Sequence, residues 1–179
     1  MAEGQTHIEN GPRLFSNRTD AVLLLALEIR AKKAGFALFQ RSALLDWGMT
    51  CSGKATPAIR RIGSLLDLHS PTMIVIRRPR LKHSQAGASN VEKIKRGAKR
   101  RSIPVQSLDA YRIHAFFKQR GCSNKHQIGL FLAERFPELA SRVPPKRKLW
   151  QSEPHNALLF DAVATAVTFL TEESRPGNV

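Results

Sequence analysis

Residues 21–40 read AVLLLALEIRAKKAGFALFQ and place one acidic residue, Glu28, near the end of an apolar run. A continuous apolar run of strand length predicts a strand that is buried on both faces. A basic segment and Gly35 separate it from a second apolar run, so we predict two adjacent antiparallel strands over residues 21–29 and 36–39. Ionising a carboxylate in such a strand costs several kcal/mol unless a neighbour compensates its charge. A metal ion or a basic side chain would do so, and both remain open for Glu28.

A mixed α/β pattern continues beyond this hairpin. Residues 43–47 predict a third antiparallel strand, and Thr56 before Pro57 is typical of a helix start. The β-branched run TMIVI at residues 72–76 predicts a fourth strand, parallel to the first because a helix connects them. The later elements that we predict are a loop over 84–90, a helix over 91–101, a strand over 103–105, and helices over 108–120, 123–136 and 156–170. Together these elements predict an α/β fold in which helices flank a mixed sheet.

Length and composition predict one domain. The 179 residues suit a single core, which we place at residues 21–172, between flexible tails at residues 1–20 and 173–179. Cys51 and Cys122 lie far apart without the spacing of a zinc site, which favours a reducing, cytoplasmic environment. The longest apolar run is too short to span a bilayer, so we expect no membrane partner.

The chain is strongly basic. Its formal net charge is +15, from 29 Lys and Arg against 14 Asp and Glu, and this excess favours nucleic acid over an acidic membrane or protein surface as the partner. Between residues 77 and 101 Glu92 is the only acid, which favours a phosphate-contacting arm over a solvated charged face. The candidate phosphate contacts are Lys32, Lys33, Arg77, Arg78, Arg80, Lys82, Lys93, Lys95, Arg96, Lys99, Arg100, Arg101, Lys146, Arg147 and Lys148.

Two further features are open to two interpretations each. Ser123, Asn124 and Lys125 precede a predicted helix, where backbone N–H groups and a lysine would bind phosphate. A plain N-cap at Ser123 beside a surface lysine explains the same residues equally well. Trp150 either stacks on a base, next to the preceding basic cluster, or belongs to the core.

Four segments, in this order, resemble the RuvC-like Holliday-junction resolvases, a branch of the RNase H-like superfamily. They are LALEIRAKKAGFALF, TMIVI, GCSNKHQIGLFLAERFP and LLFDAVATAV, and the resemblance spans about residues 21–170. It implies an RNase H-like sheet of three antiparallel strands followed by parallel strands. It also implies clustered carboxylates that bind two Mg²⁺ or Mn²⁺ ions, one activating a water and the other stabilising the leaving oxygen. Matched residue by residue, Glu28 corresponds to the acid of strand one and Asp161 to the acid of the last helix.

The sequence departs from this family pattern at three positions. Glu28 stands where the family usually has aspartate, and Leu158 stands one turn before the last aspartate, where resolvases often have an acid. The acid expected near the end of the fourth strand falls on Arg77 or Arg78. An arginine cannot ligate a metal ion and would repel one.

Two interpretations of the carboxylates follow. Glu28 and Asp161 are metal ligands, assisted by Glu153 or His155, or they pair with an arginine that occupies the place of the metal. We favour the arginine because it pairs readily with carboxylates, whereas a lost ligand is hard to replace.

The sequence therefore predicts a RuvC-like protein that binds branched or structured DNA rather than RNA. We expect impaired or absent catalysis, and a role as a binding or scaffold subunit, as a homodimer or in a larger nucleoprotein complex. The alternative is an active, Mg²⁺- or Mn²⁺-dependent, structure-specific endonuclease.

Overall fold

A computed structural model describes residues 22–51, 58–78, 85–146, 154 and 156–174. These residues form one five-stranded sheet, five α-helices and a 3₁₀ helix, Pro137–Arg142. The strands are β1 (Leu23–Ile29), β2 (Lys33–Gln40), β3 (Ala43–Cys51), β4 (Met73–Arg77) and β5 (Val105–Leu108). The helices are α1 (Ala58–His69), α2 (Gln85–Lys99), α3 (Ala110–Lys118), α4 (Lys125–Arg135) and α5 (Ala157–Glu173).

The sheet has the strand order β3-β2-β1-β4-β5. The strands β1, β2 and β3 are antiparallel neighbours, whereas β4 is parallel to β1 and β5 is parallel to β4. This is the predicted mixed sheet, and the predicted fold class is confirmed. No helix in the described part of the chain is long and apolar enough to cross a membrane.

The central strand β1 is apolar except for Glu28 because helices cover both faces of the sheet. Leu24 and Ala26 face the layer of α3, α4 and α5, while Leu25 and Leu27 face the layer of α1 and α2. Glu28 follows the same alternation and points toward α5. The buried carboxylate therefore lies between the sheet and a helix layer.

Helix α5 is apolar on almost every side, as is typical of a helix enclosed by the core. Every residue from Ala157 to Phe169 is buried except Asp161. The threonines of this helix satisfy their hydroxyl groups by donating to backbone carbonyls one turn earlier, as Thr165 does to Asp161. Asp161 is therefore the one charged side chain that α5 carries into this interior.

The predicted loop over residues 84–90 is wrong where the structure describes it, because α2 already begins at Gln85. Gly87 is buried and continues the helical stripe formed by Val91, Ile94 and Ala98. Tertiary packing of this stripe overrides the turn tendency of the glycine and serines in SQAGASN.

Several predicted boundaries also move. The short strand near residue 105 lies at Val105–Leu108, after Pro104, which has no N–H group to donate to the sheet. Helix α3 consequently begins later than predicted, behind the N-cap Asp109. Helix α4 is capped by Asn124 and not by Ser123. Strand β3 continues past Trp47 to Cys51.

Some predictions lie outside the described residues. They are the helix start at Thr56 and Pro57 and the two tails, apart from Glu173 and Ser174, which end α5 and follow it.

Candidate functional site

The parallel register of β1 and β4 brings two charged residues level with each other. Leu27 pairs with Ile76, so Glu28 and Arg77, the next residues along, lie side by side at the carboxyl ends of their strands. Both side chains point to the face that α5 covers. The end of β1 thus meets the end of β4 beneath one helix.

Gly35 allows α5 to come close to this point. It is the partner of Glu28 in the pairing of β1 with β2, and a Cβ atom at this position would collide with the backbone carbonyl of Leu158. Leu158 lies in the first turn of α5, one turn before Asp161. Because glycine removes the steric barrier, the helix can hold Asp161 over the end of β1.

Arg77 lies between the two carboxylates. Its Nη1 atom is 2.9 Å from Asp161 Oδ2 and 3.8 Å from Glu28 Oε2. Two more cations complete the site, since Arg30 Nε lies 3.0 Å from Glu28 Oε1 and Lys125 Nζ donates a hydrogen bond of 2.7 Å to Asp161 Oδ2. We call Glu28, Arg30, Arg77, Lys125 and Asp161 the charged cluster. The side chains of Glu28, Asp161 and Arg77 are only 7 %, 12 % and 13 % exposed.

Burial raises the pKa of Glu28 from its ordinary value of 4.5 to about 7. The Arg77 guanidinium opposes this rise, the neighbouring Asp161 charge adds to it, and the Arg30 and Lys125 charges oppose it again. Loss of hydration is the largest of these effects and outweighs the ion pairs. Glu28 therefore keeps its proton to a higher pH than an exposed carboxyl group does.

The residues of the charged cluster do not fit a divalent metal ion. Mg²⁺ and Mn²⁺ require oxygen ligands, and the point from which a cation could contact both carboxylates is occupied by the Nη1 atom of Arg77. Among the residues that the structure describes, no group of three or more His, Cys, Asp or Glu could hold a metal. The predicted helpers Glu153 and His155 lie outside the described residues.

The basic residues divide between two faces of the molecule. Lys32 in the turn after β1, Lys33 at the start of β2 and Arg78 after β4 are exposed at the ends of the strands that carry the charged cluster, and we call these three the strand-end rim. Lys93, Arg96 and Lys99 on α2, and Arg100 directly after it, are exposed in the layer on the other side of the sheet, and we call these four the α2 basic face.

The remaining candidates have their own partners or lie elsewhere. Lys95 pairs with Glu92 at 2.9 Å and Arg101 pairs with Asp67 at 2.6 Å, both on the surface of the α1–α2 layer. Lys146 is exposed. Arg80, Lys82, Arg147, Lys148 and Trp150 lie outside the described residues.

The start of α4 supplies the Lys125 side chain to the charged cluster. Asn124 caps the helix by accepting a hydrogen bond from the backbone N–H of Gln127, while Lys125 reaches across to Asp161. Ser123 is exposed and does not supply the capping side chain, although its backbone N–H donates a hydrogen bond of 2.8 Å to Gln127 Oε1. Sequence reasoning did not assign Arg30 to the site, although it comes two residues after Glu28, just past the end of β1, where the alternation of a strand would place both side chains on the same face.

Comparison with solved structures identifies the fold as that of RuvC and related Holliday junction resolvases. RuvC from Thermus thermophilus superposes with a TM-score of 0.60 at 13% sequence identity, covering 84% of this chain and 95% of that chain. The yeast mitochondrial Holliday junction resolvase gives 0.57 at 11% identity, covering 87% and 82%. The fowlpox virus resolvase, in a complex with its substrate Holliday junction DNA, gives 0.57 at 10% identity, covering 84% and 99%.

These neighbours confirm the predicted RNase H-like fold of the RuvC type. No protein-family model matches the chain, and no curated protein matches it in sequence.

Proposed function

We propose that this protein binds branched DNA through a RuvC-like domain without cutting it, as a binding or scaffold subunit of a nucleoprotein assembly. The observation that carries the proposal is the position of Arg77, which lies between Glu28 and Asp161 where a catalytic metal ion would have to contact both. Because the charged cluster does not fit Mg²⁺ or Mn²⁺, no cleavage step is assigned to it.

The electrostatics of the strand ends support phosphate binding. Three cations face two carboxylates in the charged cluster, so the site keeps a net positive charge even with both carboxylates ionised. Lys32 and Lys33, both exposed, and Arg78, 63 % exposed, add positive charge around it. A phosphodiester backbone is the polyanion that such a surface attracts, and several contacts would act together.

The shared fold supports branched DNA as the ligand, since the fowlpox virus resolvase holds a Holliday junction on this architecture. A homodimer would suit such a ligand, because two equivalent sites can bind two arms of one junction.

One observation favours the alternative, an active divalent-metal-dependent endonuclease. Glu28 and Asp161 converge in space although they lie far apart in sequence. For catalysis, Arg77 would have to leave the pair and Glu153 or His155 would have to complete a ligand set.

A binding and cleavage assay separates the two functions. The purified protein is mixed with a four-way junction, with linear duplex of equal length and with single-stranded RNA, with Mg²⁺, with Mn²⁺ or with a chelator. We expect tightest binding to the junction, no dependence on divalent ions and intact DNA. Cleavage that needs Mg²⁺ or Mn²⁺ and disappears in Glu28→Gln would replace the proposal with the nuclease.

Two charge reversals test which surface contacts phosphate. Lys32→Glu with Arg78→Glu alters the strand-end rim, and Lys93→Glu with Arg96→Glu alters the α2 basic face by the same charge. We expect junction affinity to fall by orders of magnitude between about 50 and 200 mM salt, and the rim variant to lower the slope of that salt dependence by about 2. An equal or larger effect of the α2 variant would assign the DNA to the opposite face.

A further inference from the structure

We infer that Arg77, whose Nη1 atom faces both carboxylates, excludes a divalent cation from the charged cluster, so that Arg77→Asp would create a Mn²⁺- and Mg²⁺-binding centre between Glu28 and Asp161. The inference deepens the proposed function and rests on it, because it explains why the native cluster takes no metal. It names one side chain as the determinant of which cation the carboxylates accept.

Arg77 acts on the two carboxylates mainly through the charge of one nitrogen atom. Its Nη1 atom is buried and within ion-pair distance of Asp161 Oδ2 and Glu28 Oε2, yet it makes no aligned hydrogen bond within the described part of the chain. One nitrogen therefore supplies charge to both carboxylates from a single position. Mg²⁺ binds oxygen at about 2.1 Å, so both carboxylates would have to move closer to an ion at that place than the 2.9 and 3.8 Å at which they face Nη1.

The backbone, and not the arginine, holds the carboxylates in place. The registers of β1 with β2 and with β4 set the position of Glu28, and the approach of α5 at Gly35 sets the position of Asp161. Removing the guanidinium thus leaves both acids facing the place of Nη1, with Arg30 still beside Glu28 and Lys125 still beside Asp161.

Aspartate at position 77 would leave room for an ion. Its carboxylate lies three bonds nearer the backbone than the terminal nitrogens of arginine, so the place of Nη1 becomes free. Three carboxylates would then converge from β1, β4 and α5, which is a hard-oxygen ligand set suited to Mn²⁺ and Mg²⁺. Lys125, whose side chain is 45 % exposed, can turn into solvent when the ion competes for Asp161.

Arg78 provides the matched control. It is the next residue in the chain, it is 63 % exposed, and its Nη1 atom lies 3.7 Å from Asp109 and not from the charged cluster. Arg78→Asp changes the net charge by the same amount as Arg77→Asp without entering the space between the carboxylates.

The experiment measures Mn²⁺ binding without DNA. Full-length wild type, Glu28→Gln, Arg77→Asp, Arg78→Asp and the double variant Arg77→Asp with Glu28→Gln are titrated with Mn²⁺ while the signal of the free ion is followed by electron paramagnetic resonance. Thermal unfolding is recorded at each concentration. We expect Arg77→Asp to bind one ion or more and its Tm to rise by about 5 to 10 °C at a Mn²⁺ concentration about 100 times Kd.

Wild type and Arg78→Asp should neither bind Mn²⁺ nor show a rise in Tm. The double variant should lose most of the Mn²⁺ binding of Arg77→Asp. The inference fails if wild type already binds Mn²⁺ in a way that Glu28→Gln abolishes, or if folded Arg77→Asp binds none. Should Arg77→Asp not fold, Arg77→Asn keeps an oxygen ligand with less charge. If Mn²⁺ stabilises neither variant, the inference is refuted.

This outcome is separate from that of the proposed function. A failure to bind DNA leaves the Mn²⁺ titration unaffected. If wild type binds junctions but the Arg77→Asp variant does not bind Mn²⁺, this inference is refuted and the proposed function is not.

Discussion

The unfolding free energy of this protein should depend on pH through Glu28. Burial holds the pKa of this carboxyl at about 7 in the folded chain, against 4.5 when it is solvated. Between these values the native state keeps a proton that the unfolded chain releases, so stability is greatest at acid pH and falls as the pH rises through 7. At about 1.4 kcal/mol per pH unit, the full loss is about 3 kcal/mol, most of which falls between pH 5 and pH 8.

Urea denaturation at several pH values isolates this contribution when wild type is compared with Glu28→Gln, which has the same shape but does not titrate. We expect the unfolding free energy of wild type to fall by about 2 to 3 kcal/mol more than that of the variant between pH 5 and pH 8. Glu134→Gln, on the exposed side of α4, should follow wild type. Parallel curves for wild type and Glu28→Gln would show that the cations of the charged cluster fully compensate the buried charge, and would refute the reasoning.

Two further predictions concern the scaffold of the site. Gly35→Ala should lower the free energy of unfolding by about 3 kcal/mol, because the added methyl group would collide with the backbone of Leu158. Gly63→Ala in α1 should raise the free energy of unfolding by up to about 1 kcal/mol, because nothing lies within 4 Å of an added Cβ. Urea denaturation measures both, and an equal response would contradict the close approach of α5. Asn124→Ala removes the N-cap of α4 and should lower the free energy of unfolding by about 1 kcal/mol. Ser123→Ala should change the free energy of unfolding by no more than about 0.5 kcal/mol. If Ser123→Ala were the more destabilising of the two, the cap would be Ser123.

The sequence could predict the sheet because its signals are local. The apolar run around Glu28, the adjacent hairpin partner and the β-branched run at residues 72–76 each read as a strand without knowledge of the rest. Their order, with one helix between the third and fourth strands, then restricts the topology to few solutions. The resemblance of the last helix added Asp161, and the structure does bring it to within reach of the same arginine nitrogen as Glu28.

The choice between Arg77 and Arg78 could not be made from the sequence. Neighbouring residues on a strand point to opposite faces, so a shift of one residue in the register of β4 would exchange their roles. Only the pairing of Leu27 with Ile76 places Arg77 beside Glu28 and sends Arg78 toward Asp109. The start of α2 could not be predicted from the sequence for a related reason, because the packing that buries Gly87 depends on residues distant in sequence.

A fixed arginine and a bound metal ion give the same carboxylates different properties. An empty metal site presents clustered negative charge to DNA until the ion arrives, so its affinity for phosphate depends on ion concentration. Arg77 is covalently attached and always charged, and with Arg30 and Lys125 it keeps the strand ends cationic at every ion concentration. Under the proposed function, the arginine that stands where a metal ion would contact both carboxylates would also keep the site attractive to a phosphodiester chain, which a protein that holds branched DNA without cutting it requires.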